Sequence, residues 1–546
     1  MSTKRTIGTL AALGGLTAAI ALLSGLPSAK ADELSDLRAN QQLLQQRLDQ
    51  LAQAIPGPGS PYPGGPPGPV GVQMVGGSFP RSFLIPGTDT SIRVGGEIRE
   101  VLDYFFDGGN ANQGTPWNTT VGDNGQAQAI PLTATTRAKG HSIFGQSPRE
   151  SKLNVETRTP SAWGEVRSFL EFDWAGSTNF APGGGNPTSV SDNLHPRLRY
   201  AYGTLGGLLF GQANSNFSDS DAGAETIDFG GTFGDPGVVR LPQVRYTVPL
   251  APWGFPGAFS MSAETPETDI AFATGAIVGQ DAGAGTTTTA ASSTCTSTST
   301  VTGAGTAAEK VSTTTSCTNG TASVLPATNP AKTPAPDLTF AWYIPQPWGH
   351  MDFSTVVRPT LQLKDGAFVD RTFTGWGIHF GGDVKPGWFG WTKDDITFNF
   401  VYGDAIGRYL NSSSNFALIT NYPATGTATA DQAATLRIRP TVGWGGNVGY
   451  KHYWTPTLRS TISGGILHHD INNLGGAEGF VCSVGASATS GGCALNKELI
   501  NAHANLIWNP VPFADIGIEY TWAHRLVLSN AKGDMNALIG RFRVQF

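Results

Sequence analysis

The chain has 546 residues, of which only 14% are charged, with 71 glycines, 13 tryptophans and a formal charge of −6. That length fits several soluble domains or one large barrel, and the absence of basic stripes excludes nucleic acid as a partner. Beyond the first segment no run of about 18 apolar residues occurs, which excludes a helical membrane protein.

Residues 1–31 read as a secretory signal peptide. Lys4 and Arg5 form a positive start, Ile7 to Leu26 an apolar stretch, and Ala29-Lys30-Ala31 a small-residue cleavage site. An uncleaved anchor is the alternative, disfavoured by the many Gly, Thr and Ala residues. Loss of Lys4, Arg5 and Lys30 with the leader takes the formal charge from −6 to −9. Residues 32–55 follow with heptad spacing: Leu34, Leu37, Leu44, Leu48, Leu51 and Ile55 at core positions, and Gln41 as the one polar member. This predicts a short coiled-coil helix, against the alternative of a solvated amphipathic helix. Residues 56–77 are a Pro/Gly-rich linker that cannot build a core. The helix is therefore expected in the periplasm.

From residue 78 to 546 the pattern becomes one of alternation with a period of two. Val94, Ile98 and Leu102 oppose Arg93, Glu97, Arg99 and Asp103. Leu198, Tyr200 and Tyr202 are set opposite Arg197 and Arg199. Ile516, Ile518 and Tyr520 oppose Asp515 and Glu519, and Phe542, Val544 and Phe546 oppose Arg541, Arg543 and Gln545. A soluble sandwich would bury the apolar face, whereas a membrane barrel turns it to lipid and keeps polar groups in a wet lumen. About sixteen such strands are expected, an even number. Their connections alternate between tight turns and mostly long loops, with short exceptions near 365–370 and 529–535, and Trp163, Trp253, Trp348, Trp388, Trp391, Trp454 and Trp508 cluster at the tight turns. That is the pattern of an aromatic girdle at one membrane interface. The fold class is all-β: a transmembrane antiparallel barrel preceded by a short periplasmic helix. A last strand ending on an aromatic residue resembles the closing strand of bacterial outer-membrane proteins. That resemblance implies recognition by the barrel-assembly machinery through Phe546, an outer-membrane location and a surround of lipid.

Cys295 and Cys317 lie in the low-complexity stretch 275–335, and Cys482 and Cys493 in another long loop. Export suggests disulfides, with local pairing expected; a cross-loop pairing and free thiols remain open. No Cys/His spacing resembles a metal site, His468-His469-Asp470 reads as an ordinary strand end, and no cofactor is implied.

The inward sets are rich in arginine: Arg93, Arg99, Arg167, Arg197, Arg199, Arg245, Arg358, Arg437, Arg439, Arg541 and Arg543. A guanidinium stays charged and meets carboxylates with a planar fork, so these are the candidate pore-lining residues. Residues 216–240 after the fifth strand carry Asp219, Asp221, Glu225, Asp228 and Asp235, and are expected to fold inward as a constriction with an acid face against the basic wall.

The stretches SFLIPGTDTSIRVGGEIR (82–99) and FSDSDAGAETIDFGG (217–231), after a leader, coiled coil and spacer, resemble DcaP-type porins. The resemblance implies a homotrimer of sixteen-stranded barrels and passive uptake of small anionic solutes such as dicarboxylates. The insert at 275–335 and the cysteines depart from it and leave the outer loops and the substrate open. Two other classes compete with a channel. An outer-membrane enzyme of lipase or protease type would need a Ser, His and acid arrangement that is not recognisable here. A structural envelope protein leaves the lumen arginines unexplained.

Overall fold

The computed structural model describes residues 76–108, 130–132, 142–176, 196–234, 236, 239–272, 277–278, 294–302, 310–318, 331–364, 369–410, 416–420, 436–471 and 495–546. The expected signal peptide, coiled-coil helix and nearly all of the linker lie outside them, as do Asp235, Cys482 and Cys493.

Sixteen strands form one antiparallel barrel. In chain order they are β1 (Ser91–Asp107), β2 (Lys152–Ser161), β3 (Gly164–Asp173), β4 (Arg197–Leu205), β5 (Leu208–Asn214), β6 (Arg240–Pro249), β7 (Ala258–Glu264) and β8 (Asp337–Gln346). The second half comprises β9 (Gly349–Lys364), β10 (Asp370–Val384), β11 (Asp395–Asp404), β12 (Val442–Tyr453), β13 (Leu458–Asp470), β14 (Asn496–Val511), β15 (Ala514–Val527) and β16 (Lys532–Gln545). Each strand pairs with its chain neighbours, and β16 closes on β1 from Glu97 opposite Gln545 to Asp107 opposite Asn536. The terminal Phe546 exchanges backbone hydrogen bonds with Gly96 at 3.1 and 3.2 Å, so the last residue is part of the seam. Closure leaves the barrel sheet without a free edge, as the lipid environment requires.

The burial pattern is that of a membrane barrel, inside-out relative to a soluble core. Ile98, Val448 and Ile462 are 59%, 56% and 69% exposed on the outer face, while Asp103 and Glu519 are fully buried within. Seven short connections lie at one end, among them 162–163, 206–207, 347–348 and 512–513, and the long loops, together with the two short links 365–369 and 528–531, lie at the other. At the Gly206-Gly207 turn, the positive φ of 56° at Gly206 is a conformation that glycine adopts without steric cost. All seven tryptophans of the expected girdle are exposed at that end.

Loop segments form a second layer on the extracellular side. Ile270–Phe272, Ile277–Val278, Leu418–Thr420 and Ile438–Pro440 make a small separate sheet. It packs through Ile270 and Leu418 onto Leu361 and Leu363 at the end of β9. Arg358, fully buried, ties this layer down by donating to the carbonyls of Ala405 and Ile406 at 3.0 and 3.1 Å, to that of Glu267, and to Asp337 at 3.2 Å. In the low-complexity insert, Thr294–Thr302 and Lys310–Thr318 pair as a hairpin whose register sets Cys295 opposite Cys317.

Candidate functional site in the lumen

Residues 215–234, between β5 and β6, cross the lumen and are fastened along the far wall. Ser215 Oγ and the Asn216 amide donate to Glu264 of β7 at 2.7 Å each. Asp219 meets His350 Nε2 of β9 at 2.6 Å, and Ser354 Oγ donates to the Phe217 carbonyl at 2.7 Å. Further along, Asn399 of β11 donates to the Ala222 carbonyl at 3.0 Å, and Asn505 of β14 to that of Glu225 at 2.8 Å. The Ile227 and Asp228 amides donate to the Glu519 carboxylate of β15 at 2.8 and 3.0 Å. Backbone groups taken out of water need partners, and here lumen-facing amides and carboxylates supply them.

The strands make room for this loop with glycine. A Cβ on Gly465 would meet the Phe233 carbonyl oxygen at 2.1 Å, on Gly449 the Ala224 side chain at 2.6 Å, and on Gly517 the Ile227 side chain at 2.5 Å. The stretches GWGGNVGY (443–450) and SGGIL (463–467) are therefore the landing surface of the loop.

The acids of the loop do not oppose the basic wall; they are spent on the wall they lie against. Glu225 forms a two-pronged ion pair with Arg459 of β13 at 2.9 and 2.5 Å. Burial pushes the Glu225 carboxyl up, but the hydrogen bonds and charge of Arg459, backed by Lys451 and Arg541, hold it below the usual range. Asp228 is buried, and burial pushes its carboxyl up to about 8; the charge of His503 works against this and that of Glu519 with it. Asp221 alone among the described loop acids is exposed.

What the loop turns toward the basic wall is a ring. Phe229 lies 5.1–5.9 Å from the charged groups of Arg99, Lys152, Arg197 and Arg199, in cation–π range of all four. These four cations meet four carboxylates. Arg99 pairs with Glu150 at 2.9 Å, Lys152 with Glu97 at 3.1 Å, Arg197 with Asp173 at 2.6 Å, and Arg199 with Glu171 at 2.8 Å.

Nearer the tight turns the ratio differs. Arg93, Arg158 and Arg167 converge on the single carboxylate of Glu156 at 2.6, 2.7 and 2.7 Å. Arg158 was not singled out from the sequence.

A bulge in β4 changes the expected alternation. Glu171 pairs with Tyr200 but Phe172 with Leu198, so Arg199 is the extra residue. Beyond it the parity flips, and Tyr200 and Tyr202 join Arg197 and Arg199 on the lumen side instead of facing lipid. Arg240 covers Tyr200 at 5.7 Å, and Arg167 lies 5.6 Å from both Phe169 and Tyr202.

The other candidate arginines have different placements. Arg245 lies on the lumen side of β6, at the level of Leu209. Arg541 and Arg543 share Asp515, Arg541 being buried. Arg358 is walled off from the lumen by the extracellular layer. Arg437 and Arg439 are exposed outside the barrel strands, Arg439 opposite Ile419 in the small sheet. His468 and His469 point to opposite sides: His468 pairs with Glu498 at 3.2 Å, and buried His469 stacks on Phe416.

A family model described as Porin subfamily matches residues 81–457, and one described as DcaP outer membrane protein matches residues 445–544. Among solved structures the chain is similar to the outer membrane channel DcaP of Acinetobacter baumannii. The identity is 20%, covering 86% of this chain and 100% of that one, with a TM-score of 0.56, which speaks for the fold. An anion-selective porin from Comamonas acidovorans, at 8% identity, covers 84% of this chain and 100% of its own with a TM-score of 0.39. OmpF of Salmonella typhi, also at 8%, covers 84% and 98% with a TM-score of 0.42; neither likeness carries an argument. No curated protein sequence matches the chain. With a closed barrel, an inward-folded third long loop and a family match over most of its length, the chain belongs to the porin family of bacterial outer-membrane channels and is DcaP-like toward its carboxyl end.

Proposed function

We propose that this porin is a passive, anion-preferring diffusion channel for small hydrophilic solutes of the dicarboxylate type, narrowed by the loop at 216–240. The single observation that carries the reading is the run of guanidinium groups along one lumen wall, which the loop meets at Phe229 and which continues to Arg93, Arg158 and Arg167 around the one carboxylate of Glu156. A solute passing there exchanges part of its hydration shell for brief contacts with guanidinium groups, whose fork suits a carboxylate. Low-dielectric walls focus the field of these charges, so the local potential outweighs the net acidity of the chain. There is no chemical step. The outer membrane supplies the lipid, the homotrimer is the expected assembly, and Phe546 at the seam is the feature for the barrel-assembly machinery to read. The helix at 32–55 would add stability to the trimer from the periplasm.

The test is conductance of the purified protein in a planar bilayer under a salt gradient. Three-step insertions with an anion-signed reversal potential, and current flicker on adding succinate, are expected. A cation-signed potential would overturn the anion preference, and absence of conductance would overturn the channel itself.

A further inference from the structure

The segment that precedes β1 enters the barrel mouth at the tight-turn end. Phe83 and Leu84 pair with Ile92 and Ser91, and the Ser78 amide donates to Ser91 Oγ at 2.9 Å. Residues 79–82 are drawn into a compact turn, with Gly77 N donating to the Ser82 carbonyl at 2.9 Å and Ser82 Oγ to that of Phe79 at 2.5 Å. A Cβ on Gly77 would displace the Ser82 hydroxyl and crowd the Cβ atoms of Ser82 and Ser91 at 3.0 Å. The turn delivers Phe79, only 7% exposed, onto the lumen side of β1 and β2. Its ring lies 4.5 Å from the Arg158 guanidinium and 5.7 Å from that of Arg93.

Two aromatic rings from outside the barrel strands thus cap two ends of one basic wall, but the charges beneath them differ. Under Phe229, four cations face four carboxylates, with Arg543 a further cation 3.5 Å from Glu97, so carboxylates nearly match cations there. Phe79 covers Arg93 and Arg158, which with Arg167 share Glu156; Arg158 also reaches Glu165 at 3.4 Å, a carboxylate 48% exposed. The side chains of Arg93, Arg158 and Arg167 keep 24%, 31% and 31% of their surface, while Glu156 keeps 1%. The carboxylate is used up holding the arginines together, and their outer faces look into the lumen. A ring over one side of them excludes water and strengthens their pull on a passing charge.

The geometry points to a second anion subsite at the periplasmic end of the lumen, made by Arg93, Arg158 and Arg167 and lidded by Phe79, which takes small carboxylate anions. It rests on the porin reading and adds to it a second basic site, below the loop constriction, where three guanidiniums depend on one buried carboxylate. Anions crossing the constriction would be received here before release, and anions entering from the periplasm would meet this site first.

The experiment uses the full-length protein inserted in one orientation in a planar bilayer, with potassium chloride gradients and succinate added to either side. The double variant Arg158→Gln with Arg167→Gln is expected to lower the anion-to-cation permeability ratio several-fold. It should also abolish succinate block from the tight-turn side while leaving block from the loop side. Phe79→Ala, which leaves the barrel strands untouched, is expected to shorten tight-turn-side blocks with the permeability ratio kept. Arg158→Lys, which keeps the charge and loses the fork, should likewise keep the ratio and shorten the blocks. Wild-type ratio and wild-type periplasmic block in the double variant would overturn the subsite alone. A wild-type channel with no anion preference would overturn the proposed function and the subsite with it.

Discussion

Glu225 of the lumen loop and Arg459 of β13, 234 positions apart in the chain, are joined by two parallel hydrogen bonds that fix where the loop crosses the pore. Arg459 also donates to Asn509 of β14, so one guanidinium holds the loop and two strands. Removing one partner of a buried, hydrogen-bonded charge pair costs about 2–5 kcal/mol, and less where water reaches it. Here Glu225 keeps 25% of its side-chain surface, so the lower end applies. Arg459→Ala is expected to loosen the loop: single-channel conductance rises and open-channel noise increases, while the barrel still folds. Unchanged conductance and noise would show that the other anchors suffice.

The glycine landing surface gives a separate handle. Gly465→Ala sets a methyl against the Phe233 carbonyl at 2.1 Å, a backbone contact that only a shift of the loop relieves. Overpacking of this kind costs typically about 1–3 kcal/mol. The variant is expected to widen the pore and lower the thermal midpoint. Gly540→Ala, whose nearest neighbours lie at 3.7–3.8 Å, is the matched substitution that should change neither. Conductance and circular-dichroism melting of the two variants decide the matter.

Asp228 predicts a response to alkali. Burial raises its folded-state carboxyl to about 8 from 3.8, so in this interval the folded loop binds a proton that the detached loop does not. Its contribution is present in full below about 3.8 and is lost as pH rises through about 8. Loop attachment should therefore weaken between neutral and mildly alkaline pH, seen as rising current noise from pH 7 to 9. Asp228→Asn is expected to remove that pH dependence. Glu225 acts in the opposite sense: its lowered carboxyl stabilises the loop above the ordinary carboxylate range, and this is lost as acid protonates it.

Arg358 is a structural residue. It is completely buried with its donors on carbonyls and Asp337, and removing it leaves that carboxylate without its cation. Arg358→Met should cost about 3–5 kcal/mol. The expected result is a lower melting temperature and greater protease sensitivity of the extracellular loops, with the anion-to-cation permeability ratio unchanged. A shift in that ratio would assign it a pore role.

Much of the barrel was legible because its signals are local. Alternation in β16 from Leu538 to Phe546 states by itself which side chains meet lipid, and the tryptophans at Trp163, Trp348 and Trp454 mark one interface. The site was legible only in part. Arg93, Arg99, Arg167, Arg197 and Arg199 fall on the lumen wall as their parity requires. Arg437 and Arg439 share the parity, but Arg439 belongs to a different sheet and Arg437 precedes it, since alternation cannot tell a barrel strand from a short strand in a loop. Tyr200 and Tyr202 were misassigned because one extra residue at Arg199 reverses every side chain beyond it. The glycines at 445, 449 and 465 were a usable signal for the loop's landing surface, being small residues on the lumen side of strands.

The sequence by itself determined the class of the protein: strand period, turn lengths and the outward apolar face all follow from interactions between residues near one another. Only the tertiary structure decided the electrostatics of the lumen, because charge there is a matter of who is paired with whom. Four cations beside Phe229 meet four carboxylates, while Arg93, Arg158 and Arg167 share the buried Glu156, and the rings that cover them come from a loop and a leading segment far apart in the chain. Counting arginines gave the sign of the wall. Where that charge is left unspent depends on contacts that no period or spacing encodes.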